Sequence, residues 1–477
     1  MKWFGITLLT IGLGLLSIYL PWYIILTAFS LFCLIIISHV RFQWMVYIII
    51  FLALQIGSKG PFIGFSTARS QTIEALPVYF IFTSIAILAF WVRKFAKIDI
   101  ADSRKNPLYT PILLLVCYSI LSIFWSPASV TENIDHVIFL ILNISLFFYI
   151  FRIVDSEILH RRLMWCLIFS GIFLSLQAIF SPFLFLGSYP IKIYGDTYLE
   201  IGTSNIVASR ALGFYMNTLL TSIVLGCLIM VAYGLLLNER NRARIILLGC
   251  AMSIFLFTIF LTQSRVGLWG LIIMVFLLLC LSYRLRKNFI RSALIICLCT
   301  FIIFMTSQIV TYKFFTKSGK ETRVASVDLD VKESGTLGSR LYYWEKGFEA
   351  LEKSSLTLVG LGAGGYKHFY PNIPTPHNLY LSLFFDFGIM AVIFVFCIMF
   401  TFVRRFREIT KHQNTYLQKM SLVFGILLIG ISIMSLTYMA YNFIFLWLII
   451  GLAYSTFSLA QQELKEKKIS QNHIGTS

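Results

Sequence analysis

The sequence predicts an all-α polytopic integral membrane protein with about fourteen transmembrane helices and a long extracytoplasmic loop carrying short helices. Three observations lead there. The 477 residues are 58% apolar, 16% aromatic and only 13% charged, with a mean hydropathy of +0.83. A soluble domain carries about 25% charged residues, so this composition could not surface a water-exposed globule. Apolar runs recur along almost the whole chain, and basic residues cluster in every second loop between them.

Crossing a hydrocarbon core takes about 20 residues of helix. Sliding that length along the chain gives spans near 3–20, 22–39, 42–57, 72–92, 108–125, 137–151, 163–181, 211–236, 245–263, 266–282, 292–312, 379–403, 420–437 and 441–460. The opening MKWFGITLLTIGLGLLSIYLP lacks a small-x-small cleavage site and runs straight into another apolar segment. It is read as the first span. The nine cysteines all fall inside apolar runs and form no CxxC pair, which makes them small core residues rather than disulfides or metal ligands.

Loop charge tests the count independently, because Lys and Arg concentrate on the cytoplasmic side. Alternate loops from the N-terminus hold 25 of the 39 basic residues. Nine of the remaining 14 lie in 313–376, where seven acidic residues nearly balance them. An even number of spans with both termini cytoplasmic fits this distribution, and it explains a formal charge of +18 without invoking nucleic acid. The expected organisation is one membrane domain over 1–465, the extracytoplasmic loop 313–376 inserted in it, and a cytoplasmic tail over 466–477.

A loop of more than 60 residues usually has a function. Within it, SRLYYWEKGFEALEK reads as an amphipathic helix from an N-cap at Ser339, with Leu341, Trp344, Phe348 and Leu351 on one face. Two readings stand: a helix lying on the membrane surface, or one roofing a site.

Arg265, in TQSRVGLWG, lies between two apolar runs on the side where the positive-inside rule disfavours it. Intramembrane ionisable residues mark function by default. Arg210, in ASRALGFYMN, and Arg340, at the start of the loop helix, lie on the same side. Converging guanidinium forks suit an anionic partner such as a lipid diphosphate. His377 stands where the long loop re-enters the membrane, beside Pro371, Pro374 and Pro376, which stiffen its approach. Its imidazole suits acid-base work or phosphate binding. GLGAGGY, from Gly360, matches GxGxxG without the strand–helix context of a nucleotide site. Its glycines are expected to form a tight turn whose N–H groups approach an anion or a sugar. Asp386, Glu74 and Asp135 border spans without the spacing of a carboxylate pair, and no Walker, GxSxG or HExxH motif occurs.

These motifs resemble the O-antigen ligase/polymerase superfamily, which includes Wzy-type polysaccharide polymerases. The resemblance rests on ASRALGFYMN, TQSRVGLWG, the block SRLYYWEKGFEAL...LVGLGAGGYKHFY...PHNLYLSLFFDFG from Ser339 to Gly388, and the earlier SIFWSPAS at Ser122 to Ser129. Together they cover about a fifth of the chain. The resemblance implies a metal-independent membrane glycosyltransferase with no cofactor, acting on undecaprenyl-diphosphate-linked glycans on the outer face of the bacterial plasma membrane. It would polymerise cell-surface polysaccharide repeat units (O-antigen, capsule, exopolysaccharide or teichuronic-acid-like). The implied partners are the lipid-linked oligosaccharide, a glycan or lipid acceptor, a flippase and a chain-length regulator. Arg210, Arg265 and His377 would take the catalytic roles, and Arg340, Trp344, Gly362, Gly364 and Asn378 would bind substrate. Ligation of the glycan to lipid A core is the nearest alternative. A lipid-linked oligosaccharide transporter is another, although the chain shows no internal repeat and its candidate groups gather at one surface instead of the midplane.

Overall fold

The computed structural model describes residues 43–55, 108–184, 191–192, 198–199, 218–262, 264–281, 336–370, 376–410, 415–437 and 443–474. These residues are overwhelmingly helical. The helices are α1 (Gln43–Gln55), α2 (Tyr109–Leu121), α3 (Val130–Ile153), α4 (Glu157–Leu184), α5 (Thr218–Leu236), α6 (Arg242–Thr262) and α7 (Arg265–Leu281), followed by α8 (Thr336–Ser354), α9 (Gly365–Phe369), α10 (Leu379–Thr410), α11 (Tyr416–Met434) and α12 (Ile444–Ile474). A 3-10 turn, Ser122–Phe124, extends α2, and Ile191–Lys192 pairs antiparallel with Tyr198–Leu199.

Among the described residues, seven helices are long and apolar enough to cross a membrane, and α2 and α7 are shorter apolar helices. Ten expected spans coincide with helices of the structure. Those at 3–20, 22–39, 72–92 and 292–312 lie outside the described residues, so the total of about fourteen remains an expectation. The short span expected over 137–151 belongs to a 24-residue helix.

The core runs through the middle of the bundle, with Phe147, Tyr149, Phe424, Phe445 and Phe457 all but inaccessible. Small residues let helix axes approach closely, as membrane bundles require in the absence of a hydrophobic drive between helices. A methyl group on Gly171 would strike Leu228 and Phe255, and one on Gly270 would strike Met434. At one end of the bundle, α4, α11 and α12 are tied by the buried His160. Its Nε2 is 2.7 Å from the Thr456 hydroxyl and its Nδ1 is 3.0 Å from the Tyr416 hydroxyl. Thr456 donates its own proton to Leu452 O, so Nε2 donates to Thr456. The candidate groups gather at the opposite end.

Candidate functional site

Helix α8 begins at Thr336, three residues before the expected cap, so Ser339 sits inside its first turn. Its buried face overlaps the expected one in part: Leu351 is buried, Trp344 is half-buried, and Phe348, though half exposed, packs against Phe384 and Phe385. Gly347 and Ala350 are also buried, whereas Leu341 is exposed. Gly347 governs that face, because any Cβ there would collide with the Phe385 ring. The absence of a side chain lets α8 close onto the first turns of α10, with Phe385 stacked on Tyr366 at 5.7 Å. Tyr366 in turn donates its hydroxyl to Tyr343 O at 3.0 Å. These contacts favour the reading in which α8 roofs a site.

His377 lies beside this helix. The Trp344 indole donates to Pro376 O at 2.8 Å, which fixes the residue preceding the histidine. Asn378 follows as the N-cap of α10, its Oδ1 accepting from the amides of Tyr380 (3.0 Å) and Leu381 (3.1 Å). Between these anchors His377 takes a left-handed conformation, φ 52°. Only a few per cent of non-glycine residues do so, and the surroundings must hold them there. The imidazole centroid lies 6.2 Å from the Tyr343 ring. Burial, and then the positive charge of Arg340, hold its pKa below the ordinary 6.5. Arg340 is half-buried in the first turns of α8, and burial lowers its own pKa in turn. Arg340, Trp344, His377 and Asn378 therefore form one assembly. Pro371 and Pro374 lie outside the described residues; the rigid mount visible around His377 consists of Trp344, Pro376 and Asn378.

The Gly-rich segment has a different geometry from an open anion cradle. Helix α10 is broken at Gly388 (φ 60°, ψ −149°), a conformation open essentially to glycine alone. The break orphans carbonyls at the end of the half-helix before it, and the Gly-rich turn supplies their donors. Leu361 N donates to Phe385 O and Gly362 N to Asp386 O, both at 2.8 Å, while Ile389 N donates to Leu358 O at 3.0 Å. The Gly362 amide is thus spent inside the protein. Gly360, Gly362 and Gly364 all have φ near +80° (81°, 81° and 76°). A Cβ on Gly364 would lie 2.5 Å from His136 Cδ2 on α3. Asp386 is 95% buried within this same crossing.

The turn is gripped from below by residues around the end of α2. Tyr118 donates its hydroxyl to Val359 O (2.8 Å), the Trp125 indole donates to Gly360 O (3.0 Å), and the Ser122 hydroxyl accepts from Ala363 N (3.2 Å). SIFWSPAS thus meets the Gly-rich block across more than 230 residues of sequence. Tyr118 and His136 were not singled out in the sequence, since neither sits in a pattern that separates it from other helix residues.

Arg265 is the first residue of α7 and is exposed. The preceding Ser264 accepts from Gly267 N at 3.4 Å. Gly270 lies about one and a half turns further on and packs against Met434. The next residue, Ser435, accepts from Leu379 N at 2.8 Å. Arg265 and His377 are therefore at the same end of the bundle. A helix N-terminus and a guanidinium together favour an anion at that end. Arg210 lies outside the described residues. No group of three or more His, Cys, Asp or Glu arranged to hold a metal occurs among the described residues.

Residues 250–396 match the family model described as O-antigen ligase, a match that supports membership of the O-antigen ligase/polymerase superfamily. The matched segment takes in Arg265, Arg340, Trp344, Gly362, Gly364, His377 and Asn378 and leaves out Arg210. No curated protein matches the chain.

Proposed function

With an O-antigen ligase domain as the premise, we propose that the protein is a membrane glycosyltransferase acting on undecaprenyl-diphosphate-linked glycans, which it joins into cell-surface polysaccharide on the outer face of the plasma membrane. The observation that carries this reading is the assembly of Arg340, Trp344, His377 and Asn378 within the matched segment, at the end of the bundle that also presents Arg265.

In the proposed reaction an acceptor hydroxyl oxygen attacks the anomeric carbon of the donor. The bond from that carbon to the diphosphate oxygen breaks, and the lipid diphosphate departs with the electron pair. Configuration inverts. His377, neutral at pH 7 because burial and Arg340 disfavour its charged form, takes the proton from the acceptor hydroxyl. Arg265 and Arg210 stabilise the charge accumulating on the diphosphate, where preorganised positive groups lower the barrier most. Arg340 serves twice, as a third positive group and as the charge that keeps His377 unprotonated. Gly362 and Gly364 serve by admitting the crossing of the turn beneath the site. Fixed guanidinium groups supply the positive charge at the leaving group, which supports transfer without a metal. Polymerisation, with a flippase and a chain-length regulator as partners, is the reading we favour. Ligation to a lipid A core acceptor is the second, favoured by the description of the matching family.

The test is Arg265. In cells lacking the native copy, Arg265→Ala should abolish polymer while the protein remains inserted and abundant. Arg265→Lys should recover little, because a point charge cannot reproduce a bidentate phosphate contact. Near-normal polymer in both variants, read by gel analysis of surface polysaccharide, would remove the phosphate clamp.

A further inference from the structure

We propose that the face of α8 and α9 formed by Tyr342, Lys346, Glu349 and Tyr370 is a carbohydrate subsite that receives sugar rings of the glycan next to the reacting end. The proposal rests on the transfer reading above and extends it to a surface outside the catalytic assembly. The Lys346 ammonium reaches two aromatic rings, 5.7 Å from the centroid of Tyr342 on α8 and 5.8 Å from that of Tyr370 at the end of α9. Lys346 also donates to Glu349 at 2.5 Å, and Glu349 accepts a second bond from Lys353 at 2.6 Å. Tyr342 is 48% exposed. The patch is continuous with the site, since the Tyr342 and Tyr343 rings are 6.1 Å apart and Tyr343 is 6.2 Å from His377.

The chemistry of the patch selects its occupant. A pyranose has C–H faces that lie against aromatic rings and an edge of hydroxyls that needs both donors and acceptors. Tyrosine offers a large amphipathic surface with few torsions to freeze. Lys346 has three donors, one of them spent on Glu349. The two lysines hold the Glu349 carboxyl down at about 2, so it is ionised and acts only as an acceptor. An apolar protein surface or lipid tails would have to bury the Lys346–Glu349–Lys353 triad without replacing its water, which is costly. Sugar hydroxyls replace that water.

The test uses the full chain in lipid nanodiscs, with lipid-free oligosaccharide obtained by partial acid hydrolysis of the source organism's own surface polysaccharide as the probe. Saturation-transfer NMR and titration read its binding. Tyr342→Ala and Tyr370→Ala should each weaken binding about tenfold, equivalent to about 1.4 kcal/mol, and raise KM for the acceptor while kcat holds. Tyr342→Phe should bind as wild type does. Equal affinity in wild type and both alanine variants would overturn the subsite and leave the transfer reading standing. A wild type that neither binds the oligosaccharide nor transfers from a lipid-linked donor would overturn both. Loss of an oligomer in Tyr342→Ala with glycan affinity intact would make the face a protein interface and overturn the subsite.

Discussion

At the scale of single residues, the site depends on how His377 is held and charged. The capping Asn378 on one side and a carbonyl gripped by Trp344 on the other hold the backbone in its left-handed turn. Burial and then Arg340 push the imidazole below 6.5. A histidine whose pKa is lowered by folding contributes stability that is fully present above 6.5 and is lost as pH falls through the folded value. The same sign governs catalysis by a base. The acidic limb of kcat/KM should lie below pH 6.5, and Arg340→Gln should move it upward, though not fully to 6.5, because burial remains. A limb that stays fixed in Arg340→Gln would separate Arg340 from the titration of His377. Much of this was legible in the sequence, since His377, Arg340, Trp344 and Asn378 all stand in one recognisable block. The Trp344 bond to Pro376 was not legible, because no pattern of residue types specifies which carbonyl an indole will reach.

At the scale of elements, the chief departure from the sequence reading is the broken helix α10. A glycine inside FFDFGIM reads like any small residue that lets helices pack closely, and hydropathy across 379–403 is uninterrupted. Its φ of 60° becomes apparent only where the Gly-rich turn crosses it and exchanges backbone hydrogen bonds. The same crossing consumes the Gly362 amide, one of those that the sequence reading offered to an anion. Long-range pairing of this kind also explains why SIFWSPAS stands out as a motif, since Trp125 and Ser122 hold the turn from beneath. The buried face of α8 is only partly legible for a related reason: helical periodicity marks the stripe that holds Leu351, but how closely α8 approaches α10 is set by the missing side chain of Gly347. Gly388→Ala should cost about 1–3 kcal/mol from backbone conformation alone, and more because a Cβ would meet Leu358 O. A lowered Tm in a fixed-rate thermal scan of the detergent-solubilised protein, together with reduced turnover, is the expected result. Unchanged values for both would mean that the break is not held as described.

For the whole molecule, hydropathy placed a bundle of helices long and apolar enough to cross a membrane, because the bilayer imposes that pattern on any chain that crosses it. The structure adds that Arg265, Arg340 and His377 share one end of that bundle, with the His160 tie at the other. Basic-loop counts predict that the Arg265 end faces away from the cytoplasm. Single cysteines placed at 345 and 357 should therefore react with an impermeant maleimide added to intact cells after outer-membrane permeabilisation. One placed at 411 should react only after lysis. Labelling in the reverse pattern would put the site on the wrong side for a lipid-linked donor presented outside.

The central claim is that this end of the bundle transfers sugar from a lipid diphosphate with His377 as the base. The most direct measurement is turnover of purified protein, reconstituted in lipid with an undecaprenyl-diphosphate-linked oligosaccharide and its acceptor, in the presence of EDTA. A positioned base contributes typically 10² to 10⁴-fold. The wild type should elongate or transfer the glycan, while His377→Gln should slow turnover by about that range and bind the donor as tightly as before. Near-normal turnover in His377→Gln, or a wild type inactive until a divalent metal is restored, would contradict the account.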